Sequence, residues 1–359
     1  MERQAAIEDK VSNGVRLSKE DGLFLYNNHD LLWLARLARN KKLAASEKNV
    51  YFNVNRHINL TNICVSRCKF CAFGVDQEGP GDPYIMSIPE AFAYGSEAVG
   101  SGITEFHIVS ALHPDMPFAY YVDVVQQLHQ AYPDIHIQAF TAVEIFYFSR
   151  ISGLSIKDVL LTLQEAGLGS MPGGGAEILN DDIRRQLCPK KAMSDEWLEV
   201  HRTAHQLGIK TNCTMLYGHI ESLEDRIDHM IRLRELQDEA PGFQSFIPLP
   251  FLPDNTHLPD IKPASAVENL KTLAISRLML DNIDHIKAFW IMLGLPIAQV
   301  SLDFGADDID GTVVEERIMH AAGAQTRKGI TRDELVNLIK ESGYVPVERD
   351  TLYNTVRVY

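Results

Sequence analysis

Three thiols fall within eight residues in the run Cys64-Val65-Ser66-Arg67-Cys68-Lys69-Phe70-Cys71. Thiolates are soft ligands that suit zinc or iron–sulfur clusters, so this C-x3-C-x2-C spacing points to a metal centre. An iron–sulfur cube is normally held by four cysteines, and three leave one iron open to a ligand that is not protein. The rival is structural zinc, with His57 or a remote side chain as fourth ligand. Zinc sites usually pair short-spaced ligands, and no second pair follows here. Cys188 and Cys213 stand apart in sequence and read as core thiols.

Other segments carry candidate chemistry. The run Ser170-Met171-Pro172-Gly173-Gly174-Gly175-Ala176-Glu177 lacks the G-K-[ST] ending of a phosphate loop and the G-x-G-x-x-G spacing of a dinucleotide loop. It reads as backbone left bare for close approach to a ligand, with Glu177 facing that ligand. His201 and His205 share one face of a helix expected over 195–207, a possible zinc pair without the H-E-x-x-H motif. Arg202, on the same helix, is a candidate for bidentate pairing with a carboxylate, with Arg184, Lys190 and Lys191 as alternatives. Gly305-Ala306-Asp307-Asp308-Ile309-Asp310-Gly311-Thr312 lacks EF-hand spacing and reads as capping a helix over 313–320.

These residues need a frame. Apolar–polar alternation predicts strands over 50–61, 105–112, 135–141, 167–171, 210–217 and 244–251, with two more over 285–292 and 298–304. Helical periodicity fills the intervals, over 88–100, 120–132, 156–166, 195–207, 223–238 and 264–280. Six to eight alternating units imply an α/β fold, a TIM-type (β/α) barrel, full or partial, whose chemistry collects at the C-terminal strand ends. Two helices are expected in residues 1–49, one capped by Ser18 with Asp21, as a lid or brace. The barrel occupies 50–320, and a helix capped by Thr331 with Glu334 opens a C-terminal extension over 321–359. A net charge of −14 argues against nucleic-acid or anionic-membrane partners. No apolar run approaches the roughly 20 residues of a membrane span. The charged N-terminus lacks a signal-peptide core, and the cysteines form no disulfide framework, so the expected compartment is the reducing cytoplasm.

The cysteine spacing, with Phe70 ahead of the last thiol and the whole run following the first strand of a βα series, resembles the radical S-adenosylmethionine (SAM) superfamily. The resemblance implies a [4Fe–4S] cluster on Cys64, Cys68 and Cys71. It also implies SAM chelated at the open iron and cleaved on one-electron reduction to a 5′-deoxyadenosyl radical. Where members often carry Gly-Gly for the methionine amino group, this chain has Ser110-Ala111. With Phe70, Thr141, Ser170 and Arg184, these are the positions expected to hold SAM.

Within the superfamily, His113-Pro114, Leu216-Tyr217-Gly218-His219, His285-Ile286-Lys287-Ala288, residues 305–312 and residues 348–353 resemble the aminofutalosine synthase family of menaquinone biosynthesis. Cyclic dehypoxanthine futalosine synthase and deazaflavin (FO) synthase are sister alternatives. An iron–sulfur electron carrier or a zinc-stabilised binding module is the non-enzyme alternative. The resemblance implies a transferase that adds the adenosyl radical to 3-[(1-carboxyvinyl)oxy]benzoate. Rearrangement and loss of bicarbonate then give 6-amino-6-deoxyfutalosine and methionine. A flavodoxin or ferredoxin is the expected reductant. A dicarboxylate substrate calls for cations or hydrogen-bond donors at the mouth, and Arg56, His201, Arg202, His285 and Lys287 are the candidates. Glu144, Glu177 and Tyr217 are candidates for ribose contact or proton handling.

Overall fold

The computed structural model describes residues 2–78, 81–312, 317–327 and 329–359. Three helices come first, Glu2–Ser12, Lys19–Asn27 and Leu31–Ser46. The second starts at the expected Ser18/Asp21 capping box, and the third at Asp30, whose side chain accepts from the Trp33 N–H. Leu25, Trp33, Leu34 and Leu37 are buried on their inner faces. The second and third pack on the later helices Leu223–Glu239 and Ala266–Met279, and the first packs on the third, so they brace the outside of the fold.

The alternating run 50–61 does not stay in one sheet. It divides at Val54 into β1 (Asn49–Asn53) and β2 (Asn55–Ile58). β2 begins a seven-stranded parallel sheet. The sheet continues in chain order through β3 (Glu105–Ile108), β4 (His136–Ala139), β5 (Ser170–Met171), β6 (Lys210–Tyr217), β7 (Phe243–Pro250) and β8 (His285–Ile286). Helices such as Phe118–Ala131, Ile156–Ala166 and Ser194–Gln206 connect successive strands, which is the repeated βα unit expected of an α/β barrel. Three further strands, β9 (Asp308–Gly311), β10 (Val345–Arg349) and β11 (Thr355–Val358), join β1 in a second sheet of order β11–β10–β1–β9.

β9 closes the ring. It pairs with β1 at Tyr51↔Asp308 and meets the β8 side through a bridge between Lys287 and Asp308. The Tyr51 N–H donates to the Asp307 carbonyl and the Ala288 N–H to the Asp308 carbonyl, each at 2.8 Å. Because β1 runs directly into β2, the last strand of the curl thereby reaches the first.

Several expectations are corrected. The strand expected over 298–304 is helical, as Leu295–Val300 and a 3-10 turn Ser301–Phe304. Pro296 suits a first helical turn, and seven alternating residues do not by themselves exclude a helix. The strand begins instead at Asp308, in the acidic run read as a helix cap. The helix expected over 313–320 falls partly on residues outside those described, and Ile318–Ala321 is helical. The strand expected over 285–292 keeps two residues before the helix Trp290–Leu293. Helices Ala142–Ser152 and Asp181–Leu187 are additional, and the chain beyond helix Arg332–Glu341 forms β10 and β11.

An acidic strand can lie in the interior because each carboxylate has a cation. Asp307 pairs with Arg277 at 2.6 Å, Asp308 with Arg349 at 2.7 Å and Asp310 with Lys287 at 2.8 Å, all six residues being buried. Burial alone would raise the Asp307 carboxyl, but Arg277 and His285 hold it below the usual carboxylate range. Removing one partner of such a pair leaves an uncompensated buried charge, at a cost of about 3–5 kcal/mol. Arg349→Ala is therefore expected to lower unfolding stability by about that amount in anaerobic denaturant titrations. A loss below about 1 kcal/mol, the range of exposed pairs, would contradict this role for the pair.

Candidate active site

The cysteine loop leaves the C-terminal end of β2 and is shaped by its own backbone. Bridges Thr61↔Ile85 and Ile63↔Val75 hold its ends. The Cys64 N–H donates to Val75 O and the Cys71 N–H to Cys68 O, each at 3.0 Å, and Arg67 adopts a positive φ of 47° at the turn. The Lys69 N–H reaches across to Leu187 O at 2.9 Å. All three thiols line one cavity of about 230 Å³.

The residues present fit a cluster with one open corner. A Cβ on Gly74 would crowd the Cys64 Cβ at 3.1 Å and lie in contact, at 3.8 Å, with the sulfurs of both Cys64 and Cys71, so glycine leaves the space beside these thiols open. Burial pushes the Cys71 thiol up, so a cationic metal group is what would favour its thiolate in this cavity. Among the described residues, no three His, Cys, Asp or Glu side chains converge on a single-ion site. His57, the proposed fourth zinc ligand, lines a different cavity. Cys188, read as a core thiol, is buried and faces Cys68, outside the cavity lining.

Around the thiols, the wall is built from strand ends. Phe70, Ser110, Ala111, Thr141, Glu144 and Glu177 all line this cavity. Glu144 is the tie between two of these strand ends. Its Oε1 accepts from the Ser110 N–H at 2.7 Å, and its Oε2 from the Thr141 N–H and hydroxyl at 2.8 and 2.7 Å. The Ala111 N–H donates to Thr61 O at 3.2 Å. The N–H groups of the Ser110-Ala111 segment are thus committed within the fold, leaving its carbonyls and the Ser110 hydroxyl, which already accepts from the Thr61 N–H at 3.2 Å, to offer an ammonium group. Glu177 pairs with Lys191 at 2.5 Å, and the Lys191 ammonium lies 5.4 Å from the Phe70 ring centroid.

The glycine run sits between strands as bare backbone. A Cβ on Gly173 would meet the Cys213 amide nitrogen at 2.5 Å, so the loop crosses β6 at contact distance. Arg184 holds it from behind. This arginine is fully buried and donates to the carbonyls of Gly175, Ala176, Ile178 and Ala192. It therefore shapes the loop and does not line the cavity where SAM contact was expected.

A second cavity of about 150 Å³ continues the first into the barrel, sharing Val109, Thr141, Gly174, Thr214 and Leu249. Its ionisable lining is His57, Glu105, His107, Lys287 and Asp310. Of the residues expected to meet the substrate carboxylates, Lys287 alone lines either of these two cavities. Arg56 is on the opposite face of β2 from His57, as strand alternation requires. It bonds Tyr94 O and Glu97 and stacks on the Tyr94 ring. His201 is buried under helix Ser194–Gln206 against Trp197 and Thr211, where burial pushes its pKa well down. Arg202 is on the outer surface, paired with Glu199 and Glu239. His285 stacks on Tyr353 with centroids 3.7 Å apart and bonds Asp307. Tyr217 donates to Asn269 in the helix layer, and Ser170 bonds His136 and Gln138 beneath the barrel lining. These six side chains serve packing or pairing.

Glu105 and His107 were not singled out from sequence, although their parity was available. In EFHI, positions 105 and 107 share a strand face, and two ionisable residues there are unusual for an interior strand unless they face a cavity.

Two family models cover most of the chain: the radical SAM superfamily over residues 58–233 and the CofH/MqnC C-terminal region over 240–358. The chain is 47% identical to aminodeoxyfutalosine synthase of Thermus thermophilus, across 99% of this chain and 97% of that one. It is 41% identical to 5-amino-6-(D-ribitylamino)uracil–L-tyrosine 4-hydroxyphenyl transferase of Methanopyrus kandleri, across 90% and 89%. In fold it is similar to crystalline methylornithine synthase, with a TM-score of 0.75 at 19% identity, across 95% and 97% of the two chains.

The site generates a pH dependence. Burial raises the Glu144 carboxyl to about 7 from its usual 4.5, against the hydrogen bonds from Thr141 and Ser110. The folded chain therefore holds this proton more tightly than the unfolded chain. The resulting stability is complete below pH 4.5 and is lost as pH rises through about 7. Between pH 5 and 8, unfolding free energy should fall more steeply for the wild type than for Glu144→Gln, by up to about 3 kcal/mol. Parallel pH profiles in denaturant titrations would show that Glu144 does not titrate in this range.

Proposed function

This chain belongs to the radical SAM superfamily, and from that premise we propose that it is an aminodeoxyfutalosine synthase. The reaction is addition of the 5′-deoxyadenosyl group of SAM to 3-[(1-carboxyvinyl)oxy]benzoate. Rearrangement and loss of the acrylate carboxylate, released as bicarbonate with water as co-reactant, give 6-amino-6-deoxyfutalosine, with methionine as the other product. The observation that carries this reading is the 47% identity with the Thermus thermophilus synthase along nearly the whole of both chains. That match includes the C-terminal region, which supplies Lys287, Asp310 and Arg349 to the barrel floor and its closure.

A [4Fe–4S] cluster on Cys64, Cys68 and Cys71, when bound, supplies the electron that breaks the carbon–sulfur bond of SAM. A reduced flavodoxin or ferredoxin is the proposed donor. The remaining work falls to this chain's own groups. Phe70, Val109, Leu249 and Phe251 line the upper cavity with apolar surface that keeps water from a reactive species. Glu144 locks two strand ends together, and Gly174 lets the backbone approach whatever lies between the cavities. The lower cavity gathers Lys287 and two imidazoles where an anionic substrate needs donors.

A second reading follows from the 41% identity with the Methanopyrus kandleri enzyme, named for transfer of a 4-hydroxyphenyl group from tyrosine. Product analysis separates the two. Reconstituted, reduced enzyme with SAM and 3-[(1-carboxyvinyl)oxy]benzoate should give an adenosylated product by mass spectrometry, with methionine in equal amount and little 5′-deoxyadenosine. Turnover only with tyrosine and the diaminouracil would overturn the proposal. Replacement of Cys64, Cys68 or Cys71 by alanine should abolish cluster assembly and product alike, as judged by bound iron and visible absorbance. A variant that retained wild-type iron and absorbance would remove that cysteine from the ligand set.

A further inference from the structure

The floor of the barrel brings together five ionisable side chains: His57 on β2, Glu105 and His107 on β3, Lys287 just past β8 and Asp310 on β9. Parallel register sets His57 opposite His107, and their imidazoles stack with centroids 4.5 Å apart and planes 17° apart. Glu105 Oε1 lies 3.1 Å from His107 Nδ1, while its Oε2 accepts from Asn53 at 3.1 Å. Burial would raise the Glu105 carboxyl, but the bond to His107 and the charges of His107, Lys287 and Arg349 hold it below the usual range. An ionised Glu105 keeps a proton on Nδ1 of His107, which fixes the orientation of the ring. Lys287 Nζ donates to Asp310 Oδ1 at 2.8 Å. An ammonium has three donors, so this bond leaves Lys287 with capacity for a ligand.

Above this layer the two cavities join at an apolar waist. Val109 and Leu249 line both cavities, and Ile247 and Phe289 line the lower one. The order from cysteine loop to floor is therefore a thiol-lined upper cavity, an apolar waist, and a floor that sets one ammonium and two imidazoles beside two carboxylates. That sequence matches an aryl group carrying a carboxylate at its far end. We infer that His57, His107 and Lys287 form the receptor for the ring carboxylate of the aryl enol ether, with Glu105 and Asp310 as positioning residues. Seated this way, the ring lies in the waist and the vinyl end points toward the cavity lined by the three thiols. The inference rests on the proposed reaction.

The test compares 3-[(1-carboxyvinyl)oxy]benzoate with α-phenoxyacrylate, which differs only in lacking the ring carboxylate. Anaerobic kinetics are paired with equilibrium binding of each compound to the reconstituted, SAM-loaded enzyme. The wild type should prefer the dicarboxylate in both KM and Kd. His57→Gln leaves the Lys287–Asp310 pair in place, and the double variant Lys287→Met/Asp310→Asn removes that pair without stranding a charge. Each should raise KM and Kd for the dicarboxylate about 10- to 100-fold, the range for loss of a hydrogen bond to a charged group. Values for α-phenoxyacrylate should stay within about 2-fold of wild type, because the missing contact is one it never made. Glu105→Gln should raise KM for the dicarboxylate alone, with kcat little changed. If folded variants keep the wild-type preference, or lose affinity for both compounds equally, the receptor is not here and the proposed reaction stands. If the wild type turns over neither compound, the proposed reaction falls and the receptor with it.

Discussion

Burying an acidic strand sets the terms for the rest of this structure. Asp307, Asp308 and Asp310 lie inside the fold, where an unpaired carboxylate would be strongly disfavoured. Their cations come from three separated parts of the chain: Arg277 on an outer helix, Lys287 after β8 and Arg349 near the C-terminus. All three pairings favour closure of the barrel through β9. Tyr353 adds a hydroxyl bond to Asp308 at 2.8 Å while stacking on His285, which itself bonds Asp307. The C-terminal segment is therefore part of the barrel's closure. Through the bridge at Lys287 and Asp308, it is also part of the floor of the site.

The cavities divide the chemistry by polarity. The upper one combines soft thiol ligands, apolar walls and a Glu144 carboxyl that burial raises to about 7, a setting that favours a cluster and disfavours water. The lower one has ionic groups already paired and oriented, so a bound anion would meet fixed donors at little reorganisation cost. Arg184 and Lys191 connect the two tasks. The first fixes the glycine loop between the cavities, and the second anchors Glu177 beside the thiols.

The cysteine loop and the parallel βα order were legible because each leaves a local signal, a short ligand spacing in one case and switching periodicity in the other. The cationic candidates were harder. Arg202 and His201 sit on a helix whose inner and outer faces sequence alone does not assign to the lumen, and both turned out to serve the helix layer. Arg56 was one position out of phase, since His57 beside it holds the lumen-facing parity. β9 was hidden because Asp-Ile-Asp-Gly reads as a solvated turn until distant cations neutralise it. Those partners are 23 residues away in sequence for Asp310 and 41 for Asp308, beyond any local pattern. Thr141 with Glu144 did carry a capping-box signal, which would have marked the helix Ala142–Ser152 had it been read as one.

The proposed chemistry depends on three cysteines holding a cluster with one corner left for SAM. The most direct measurement is the electron paramagnetic resonance spectrum of the reconstituted, reduced enzyme before and after adding SAM. Chelation at an open iron predicts a [4Fe–4S]⁺ signal whose g values shift on addition, with the shift absent when a non-chelating adenosine analogue replaces SAM. A cluster signal that stays unchanged on SAM addition would mean that no corner is open to SAM and would contradict the account.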